Sequence, residues 1–283
     1  MKGTSQLMED IPSRFRRLVG DEPFYSIHSL NQLEKEVREK VYSLLIPEAI
    51  FQRFSIDPVT YTNPEGERVV NFITPHHAGF AILEVRRKPE DKDCIFFLEI
   101  ADTAFHKIEI TFLIINDPDS PRFNTDIDPE GRRTKFGTTR RNIEEEIRAM
   151  QAGLAPGQVR KGLRLLGDFL PLALGFAKAM GHDMLVAEPL AYHDAIIFEK
   201  YGFNYIRGRK LMEEIHREFQ PGGSLYRKLD GSTPFRMPGA ERTVRGRSWA
   251  IHDGILDQPW KGVEMYRSVD SPSHVCTFPG WVY

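Results

Sequence analysis

The sequence predicts an α+β fold, with a mixed and mostly antiparallel sheet flanked by helices. Three observations carry that expectation. Four short apolar runs, at residues 69–74, 79–87, 94–101 and 107–116, are separated only by turn-like pieces, which is the spacing of an antiparallel meander. Apolar residues at helical spacing precede them, at Leu30, Leu33, Val37, Val41, Leu44 and Leu45. After residue 158, apolar helical stretches alternate with short strand-like ones.

Composition limits the alternatives. The chain has 283 residues, 41% hydrophobic and 28% charged, with a formal net charge of −2. That is ordinary for a globular protein and long enough for a sizeable core. A charge so near neutral argues against a surface devoted to nucleic acid. Cys94 and Cys276 are the two cysteines and cannot build a disulfide framework. A reducing, cytoplasmic setting is the expectation. The first ten residues carry acids and no apolar core, so no secretory signal is expected there. No apolar run reaches the roughly 20 residues of a membrane span.

In chain order, residues 1–23 read as an N-terminal extension and residues 24–28 as a first strand. Ser29 is the expected N-cap of the next helix, with Gln32 completing a capping box. Pro47 opens a second short helix through Phe54. In the meander, Ile108, Ile110, Phe112 and Ile114 alternate with Glu109, Thr111 and Leu113, which predicts one core face and Glu109 on the other. Residues 116–139 read as a long polar loop, followed by a short helix capped by Asn142 and Glu145 with Ile143, Ile147 and Met150 as its apolar stripe.

The stretch Gly153-Leu-Ala-Pro-Gly-Gln-Val-Arg-Lys-Gly-Leu-Arg164 then leads into a helix expected over residues 158–180, with Pro171 as a kink and Gly181 as its stop. Residues 184–187 read as a strand. Pro189 starts a helix ending at Tyr201, closed by Gly202 and Phe203. Another strand follows at residues 203–207, and a last amphipathic helix at 209–219. Residues 220–283 read as an irregular extension rich in Gly, Pro and aromatics, with Trp249, Trp260 and Trp281 packing onto a domain surface.

Amides at a helix start flanked by Arg160, Lys161 and Arg164 are a natural phosphate cradle. Cations there oppose the helix dipole, so an anion would account for them. The alternative is a solvated first turn shaped by its glycines. Gly157-Gln-Val-Arg-Lys-Gly162 lacks the Lys-Ser/Thr of a Walker loop.

The order of strands, basic turn, helix, strand and Phe198-Glu-Lys-Tyr-Gly-Phe203 resembles the GNAT acyltransferase superfamily over about residues 24–207. The family's Gln/Arg-x-x-Gly-x-Gly/Ala turn is met at Gly162, with Val159 and Arg164 at the other two marked places. Its tyrosine in the later helix is replaced by Phe198. The resemblance implies acyl-coenzyme A, or the phosphopantetheine of an acyl carrier, held by Gln158, Val159, Arg160, Lys161, Gly162, Leu163 and Arg164. It implies acyl transfer to an amine, with Glu109 as base and His193 or Tyr201 standing in for the missing tyrosine as acid. Tyr192 is another substitute on the same helix. Glu109 reads equally as a solvent-facing sheet residue, and His193 as a helix-surface one.

The rival expectation is a GNAT-shaped binding or regulatory protein without catalysis. A metal enzyme ranks last. His76, His77, His106, His193, His216 and His252 show no ligand spacing, and Asp117, Asp119, Asp126, Asp128 and Glu130 lack the order of a calcium loop. No metal is expected. The resulting domain scheme is an extension at 1–23, a core at 24–219 with an insertion at about 117–156, and the extension at 220–283. A small-molecule or acyl-carrier substrate is expected, with no nucleic acid and no membrane span. Homo-oligomerisation stays open.

Overall fold

A computed structural model describes residues 2–21, 24–135, 137, 139–280 and 282–283, with backbone alone for residues 2–10. Trp281 lies outside the described residues. The chain forms two compact units. Unit 1 comprises Met1–Asp119, Gly162–Ala187 and Tyr266–Pro272, and unit 2 comprises Ser120–Lys161, Glu188–Met265 and Ser273–Tyr283.

The elements are helices α1 (Lys2–Val19), α2 (Ile27–Leu30), α3 (Lys35–Ser43) and α4 (Glu48–Arg53), then strands β1 (Val70–Ile73), β2 (Phe80–Val85), β3 (Phe96–Asp102) and β4 (Ile108–Ile115). Helices α5 (Ile143–Gln151) and α6 (Leu166–Ala179) precede strand β5 (Met184–Ala187). The last elements are α7 (Tyr192–Lys200), β6 (Asn204–Arg207), α8 (Arg209–Glu218), α9 (Ser224–Arg227), α10 (Val244–His252) and β7 (Glu264–Ser268). The architecture is α+β, with a seven-stranded, mostly antiparallel sheet in the order β1-β2-β3-β4-β5-β7-β6.

In unit 1 the first four strands pair as an antiparallel meander. Opposite residues of an antiparallel pair share a face, so Leu83, Leu98 and Ile100 define one side, and all are buried. Phe169 of α6 meets Phe96 on that side, with ring centroids 5.8 Å apart. Helix α1 packs along α6 through Ile11 and Phe15, and Phe15 meets Phe176 edge-on at 5.6 Å. Ile11 and Phe15, in the stretch expected as an extension, therefore contribute to the core of unit 1. Gly175 lets α6 approach Ile11, because a Cβ there would stand 2.9 Å from the Ile11 side chain. Asn31 ties the early helices to the sheet. Its amide donates to the Ala78 and Phe80 carbonyls at 2.8 and 2.9 Å, and its oxygen accepts from Tyr42 at 2.7 Å.

Unit 2 is built around a cluster of Phe123, Ala149, Leu154, Phe235 and Trp249. Trp249 stacks on Phe235 and donates its indole N–H to the Leu154 carbonyl at 2.8 Å. Trp260 donates to the Pro189 carbonyl at 2.9 Å. Both tryptophans pack down with a satisfied N–H, as expected. Asn142 caps α5 by accepting from the Glu145 N–H, as its sequence position predicts. Gly202 adopts the left-handed conformation after α7 (φ 83°). The Phe203 N–H returns to the Phe198 carbonyl, and the two rings stack at 4.8 Å. That is a Schellman closure with its hydrophobic contact.

Several expectations are corrected. No strand forms at residues 24–28, and Ile27 starts a helix there. Its cap is Ser26, whose hydroxyl accepts from the Ser29 N–H, so Ser29 lies inside the helix rather than capping it. The single helix read over residues 30–45 is two, α2 and α3, separated by a turn. Helix α7 begins at Tyr192 rather than at Pro189. Residues 220–283 are not wholly irregular, since they include α9, α10 and β7. Helix α10 escapes periodicity because it is enclosed nearly all round, down to Arg247 and Ser248.

The alternation read along β4 is also corrected. Ile110 pairs with Ile100, but Phe112 pairs with Glu99, so Thr111 is an extra residue, a β-bulge. Beyond it, Leu113 and Ile115 take the core face, opposite Leu98 and Phe96. Phe112 and Ile114 turn to the other face, where Phe112 meets Phe97 at 5.7 Å.

Candidate functional site

The feature of unit 1 that bears on the expected cofactor is the point where the pairing of β4 with β5 ends. Strand β5 pairs with it in parallel at Ile108, Glu109 and Ile110 alone. Strand β5 ends at Ala187, the partner of Ile110, while β4 continues to Ile115, and Asn116 forms an isolated antiparallel bridge with Gly162. Five residues of strand make about 17 Å of edge. The bulge at Thr111 sits where the pairing stops, and its hydroxyl donates to the Glu99 carbonyl at 3.0 Å. A bulge bends its strand and sharpens the local twist.

Gly162 has a steric reason to be glycine. A Cβ there would stand 2.9 Å from the Ile115 carbonyl oxygen. The chain then passes through Arg164, whose φ of 62° is left-handed, and α6 starts at Leu166. A left-handed residue cannot continue a helix. The helix expected from residue 158 therefore begins eight residues later, and Gln158, Val159, Arg160, Lys161, Gly162, Leu163 and Arg164 form the turn ahead of it.

This changes the electrostatic argument. Arg160, Lys161 and Arg164 precede the helix rather than occupying its first turn, which carries Asp168 instead. Gln158 shapes the turn by accepting from the Ala155 N–H at 2.8 Å. The Arg160 guanidinium donates to the Ser120 carbonyl, and the Lys161 N–H donates to the Ser120 hydroxyl at 3.2 Å. The division between the units falls inside this stretch, between Lys161 and Gly162.

Unit 2 carries the densest buried polar group, where α10 packs on α7. His193 is enclosed, with Nδ1 2.9 Å from the Ser248 hydroxyl and Nε2 3.3 Å from the Asp194 carboxylate. Burial holds its imidazole below the usual histidine range, with Asp194 opposing. The neutral ring with its proton on Nε2 satisfies both contacts. Asp194 also accepts the Ala191 N–H at 3.0 Å, which closes the first turn of α7. Serine, histidine and aspartate are thus in contact, but Ser248 is buried within a helix and no open face reaches its hydroxyl. The arrangement holds two helices together rather than presenting a nucleophile.

Next to it, Tyr192 is buried, and burial pushes its hydroxyl up to about 12, with Arg247 opposing. Arg247 is 2% exposed, and among the described residues no carboxylate is in ion-pair contact with its guanidinium. It donates Nε–H to the Glu241 carbonyl at 2.7 Å, approaches His216 Nδ1 at 3.2 Å, and lies 3.5 Å from the centroid of Phe278. Glu199, at the other end of α7, accepts from Tyr205, from the Thr277 N–H at 2.9 Å and from the Thr277 hydroxyl at 2.6 Å. Burial holds its carboxyl above the usual range, and these hydrogen bonds oppose the shift.

The expected acid–base residues are divided between the two units. Glu109 lies in unit 1, opposite Ala101 on β3 and registered with Val186 on β5. His193 and Tyr201 lie in unit 2, in the first turn of α7 and at its C-cap. Eight residues of helix separate them by about 12 Å. Tyr201 is partly exposed, whereas His193 is not. Phe198, at the place of the family tyrosine, is a packing residue on Phe203. Among the described residues, no group of three or more His, Cys, Asp or Glu is arranged to hold a metal ion. Also among them, no helix is long and apolar enough to cross a membrane.

Arg247, Ser248, Glu199, Tyr205 and Thr277 escaped the sequence reading because they lie far apart in the chain and follow no motif. The bulge did leave a signal. The run Phe112-Leu-Ile-Ile115 breaks the alternation set by Ile108-Glu-Ile-Thr111. Comparisons with protein-family models, curated proteins and solved structures found no match for this chain.

Proposed function

We propose that the protein is a divergent member of the GNAT acyltransferase superfamily, which binds acyl-coenzyme A or an acyl-carrier phosphopantetheine and transfers the acyl group to an amine. The observation that carries the reading is the short parallel pairing of β4 with β5 beside the turn at Gly162. An extended pantetheine arm has amide groups that match the backbone groups of a strand edge. The basic side chains of the turn, Lys161 and Arg164, would take the pyrophosphate. The one-sided match of the family turn, at Gly162 but not at Val159 or Arg164, favours a donor other than acetyl-coenzyme A, such as a longer acyl chain or a carrier protein.

In the transfer, the amine nitrogen attacks the thioester carbonyl, the C–N bond forms, the C–S bond breaks and the thiolate leaves. Glu109, on β4 ahead of the turn, is the proposed acceptor of the amine's proton. The proposed donor to the thiolate is on α7. Tyr201, at partial exposure, suits that role better than the enclosed and neutral His193.

A second reading has its own support. Phe198 has no proton to give and is committed to the contact with Phe203. A GNAT-shaped binding or regulatory protein without turnover is consistent with that. Isothermal titration with acetyl-, octanoyl- and palmitoyl-coenzyme A, followed by a thiol-release assay across a panel of amines, tests both. Binding with thiol release supports transfer, and binding without release supports the second reading. No binding of any thioester or of acylated carrier protein sinks the cofactor assignment.

A further inference from the structure

In unit 2, the chain after β7 returns to α7 through residues 273–280. The segment has no helix or strand of its own. Its neighbours in the run are exposed or half-buried, and only Thr277 and Phe278 are buried. It is fastened at three points. The Ser273 N–H donates to the Gly202 carbonyl at 2.9 Å, just past the C-terminus of α7. Thr277 gives both its N–H and its hydroxyl to the Glu199 carboxylate. The Phe278 ring fills a socket formed by the Arg247 guanidinium at 3.5 Å, the His216 ring at 5.5 Å and Tyr192 and Phe219 behind them.

Two of these fasteners rest on charged groups that closure takes out of water. Among the described residues, Glu199 accepts three hydrogen bonds with no cation in ion-pair contact, and Arg247 has aromatic faces and neutral acceptors with no carboxylate in ion-pair contact. Burying an ion without a counter-ion offsets much of what its contacts return. The two sites are not in contact with each other through any hydrogen bond or ion pair described for them, so neither neutralises the other. The remaining gain on closure is the burial of one phenyl ring and its cation–π contact. A segment held this way opens more readily than helices joined by apolar packing, such as α10 on the Trp249 cluster.

We infer that residues 273–280 form a releasable strap, and that the place it occupies on α7, α8 and α10 is a binding site for a hydroxyl-bearing residue followed by an aromatic one. Glu199 reads the hydroxyl and its backbone N–H. Arg247 and His216 read the aromatic face. The strap fills the site in cis, and a peptide of the same pattern competes for it. Because the Ser273 N–H caps the Gly202 carbonyl, release uncovers that carbonyl just past the end of α7. The inference stands on unit 2 alone and does not depend on acyl transfer.

Two measurements test it. Hydrogen exchange on the intact wild-type chain, followed residue by residue, should show the Ser273 and Thr277 amides exchanging at least tenfold faster than the α10 amides. Equal rates would make the segment part of the cooperative core and overturn the inference. A synthetic peptide of residues 272–280 should bind the full-length Phe278→Ala chain saturably, and the wild-type chain at least tenfold more weakly because its own strap is in place. The same peptide with Ala at both Thr277 and Phe278 should not bind. Equal binding of the two peptides, or equal binding to the two chains, would refute the site. The exchange measurement requires no variant, so it decides the matter even if Phe278→Ala folds poorly.

Discussion

Deleting Thr111 isolates the role proposed for the β4 edge. Thr111 is the one residue of β4 without a partner on β3, between the Ile110–Ile100 and Phe112–Glu99 pairs. Its removal restores strict alternation without moving any side chain to the wrong face: Ile108, Ile110, Leu113 and Ile115 stay on the core side. The direct loss is one hydroxyl–carbonyl hydrogen bond to Glu99, worth about 1 kcal/mol. A regular ladder returns a similar amount, so the expected net change is within about 1 kcal/mol, a shift in Tm of about 2–4 °C. Straightening β4 should remove the local bend and change the course of the roughly 17 Å of strand edge that follows Ile110. Coenzyme A thioester affinity should then fall at least tenfold, about 1.4 kcal/mol. The assay is calorimetric titration of the acyl-coenzyme A that the wild-type protein binds best, with Thr111→Ala, which keeps the bulge, as control. A deletion variant that folds and binds that thioester as tightly as Thr111→Ala would refute the proposed seat.

Two further predictions concern unit 2. The Glu199 carboxyl is held above its unfolded value, first by burial. Its contribution to stability is therefore full below the ordinary glutamate range and is lost as pH rises through the raised value. Urea unfolding at a series of pH values should show this decline in the wild-type chain, and Glu199→Gln should remove it. A slope that is the same in both would place the titration elsewhere. Arg141 links Glu146 at 2.5 Å to Asp253 at 2.7 Å, both nearly buried. Although burial works against ionisation, His252 and Arg141 hold Glu146 below its usual range. Arg141→Met should cost about 3 kcal/mol, because it leaves a buried carboxylate short of its cation. It should also make acid unfolding begin at higher pH, since a lowered carboxyl loses its contribution as pH falls. Adding Glu146→Gln should recover part of the loss, and no recovery would mean that Arg141 acts through packing on Phe235 instead.

The sequence by itself determined what is decided locally. Four apolar runs with turn chemistry between them had to become the meander of β1 to β4. Asn142 ahead of an apolar stripe had to cap a helix. Gly202 followed by Phe203 had to close α7, because only glycine takes that conformation cheaply and the aromatic is placed to cover it. Early in the chain, Ser29 was the expected cap, but the helix starts three residues earlier behind Ser26, where the distant Asp102 carboxylate accepts the Ile27 and His28 N–H groups. Helix α10 was illegible for the opposite reason: a helix enclosed on most sides has no polar face to set a period.

Only the tertiary structure decided what depends on partners distant in sequence. The bulge at Thr111 is a mismatch of register between β3 and β4 and exists only once they pair. The start of α6 was set by the contact of Gly162 with Ile115 and by the left-handed Arg164, which moved three cations off the helix terminus where the sequence had put them. The neutral His193, the Arg247 socket and the Glu199 clasp come from residues tens of positions apart. Charge and burial are properties of the space around a side chain, and the sequence specifies that space only through the fold.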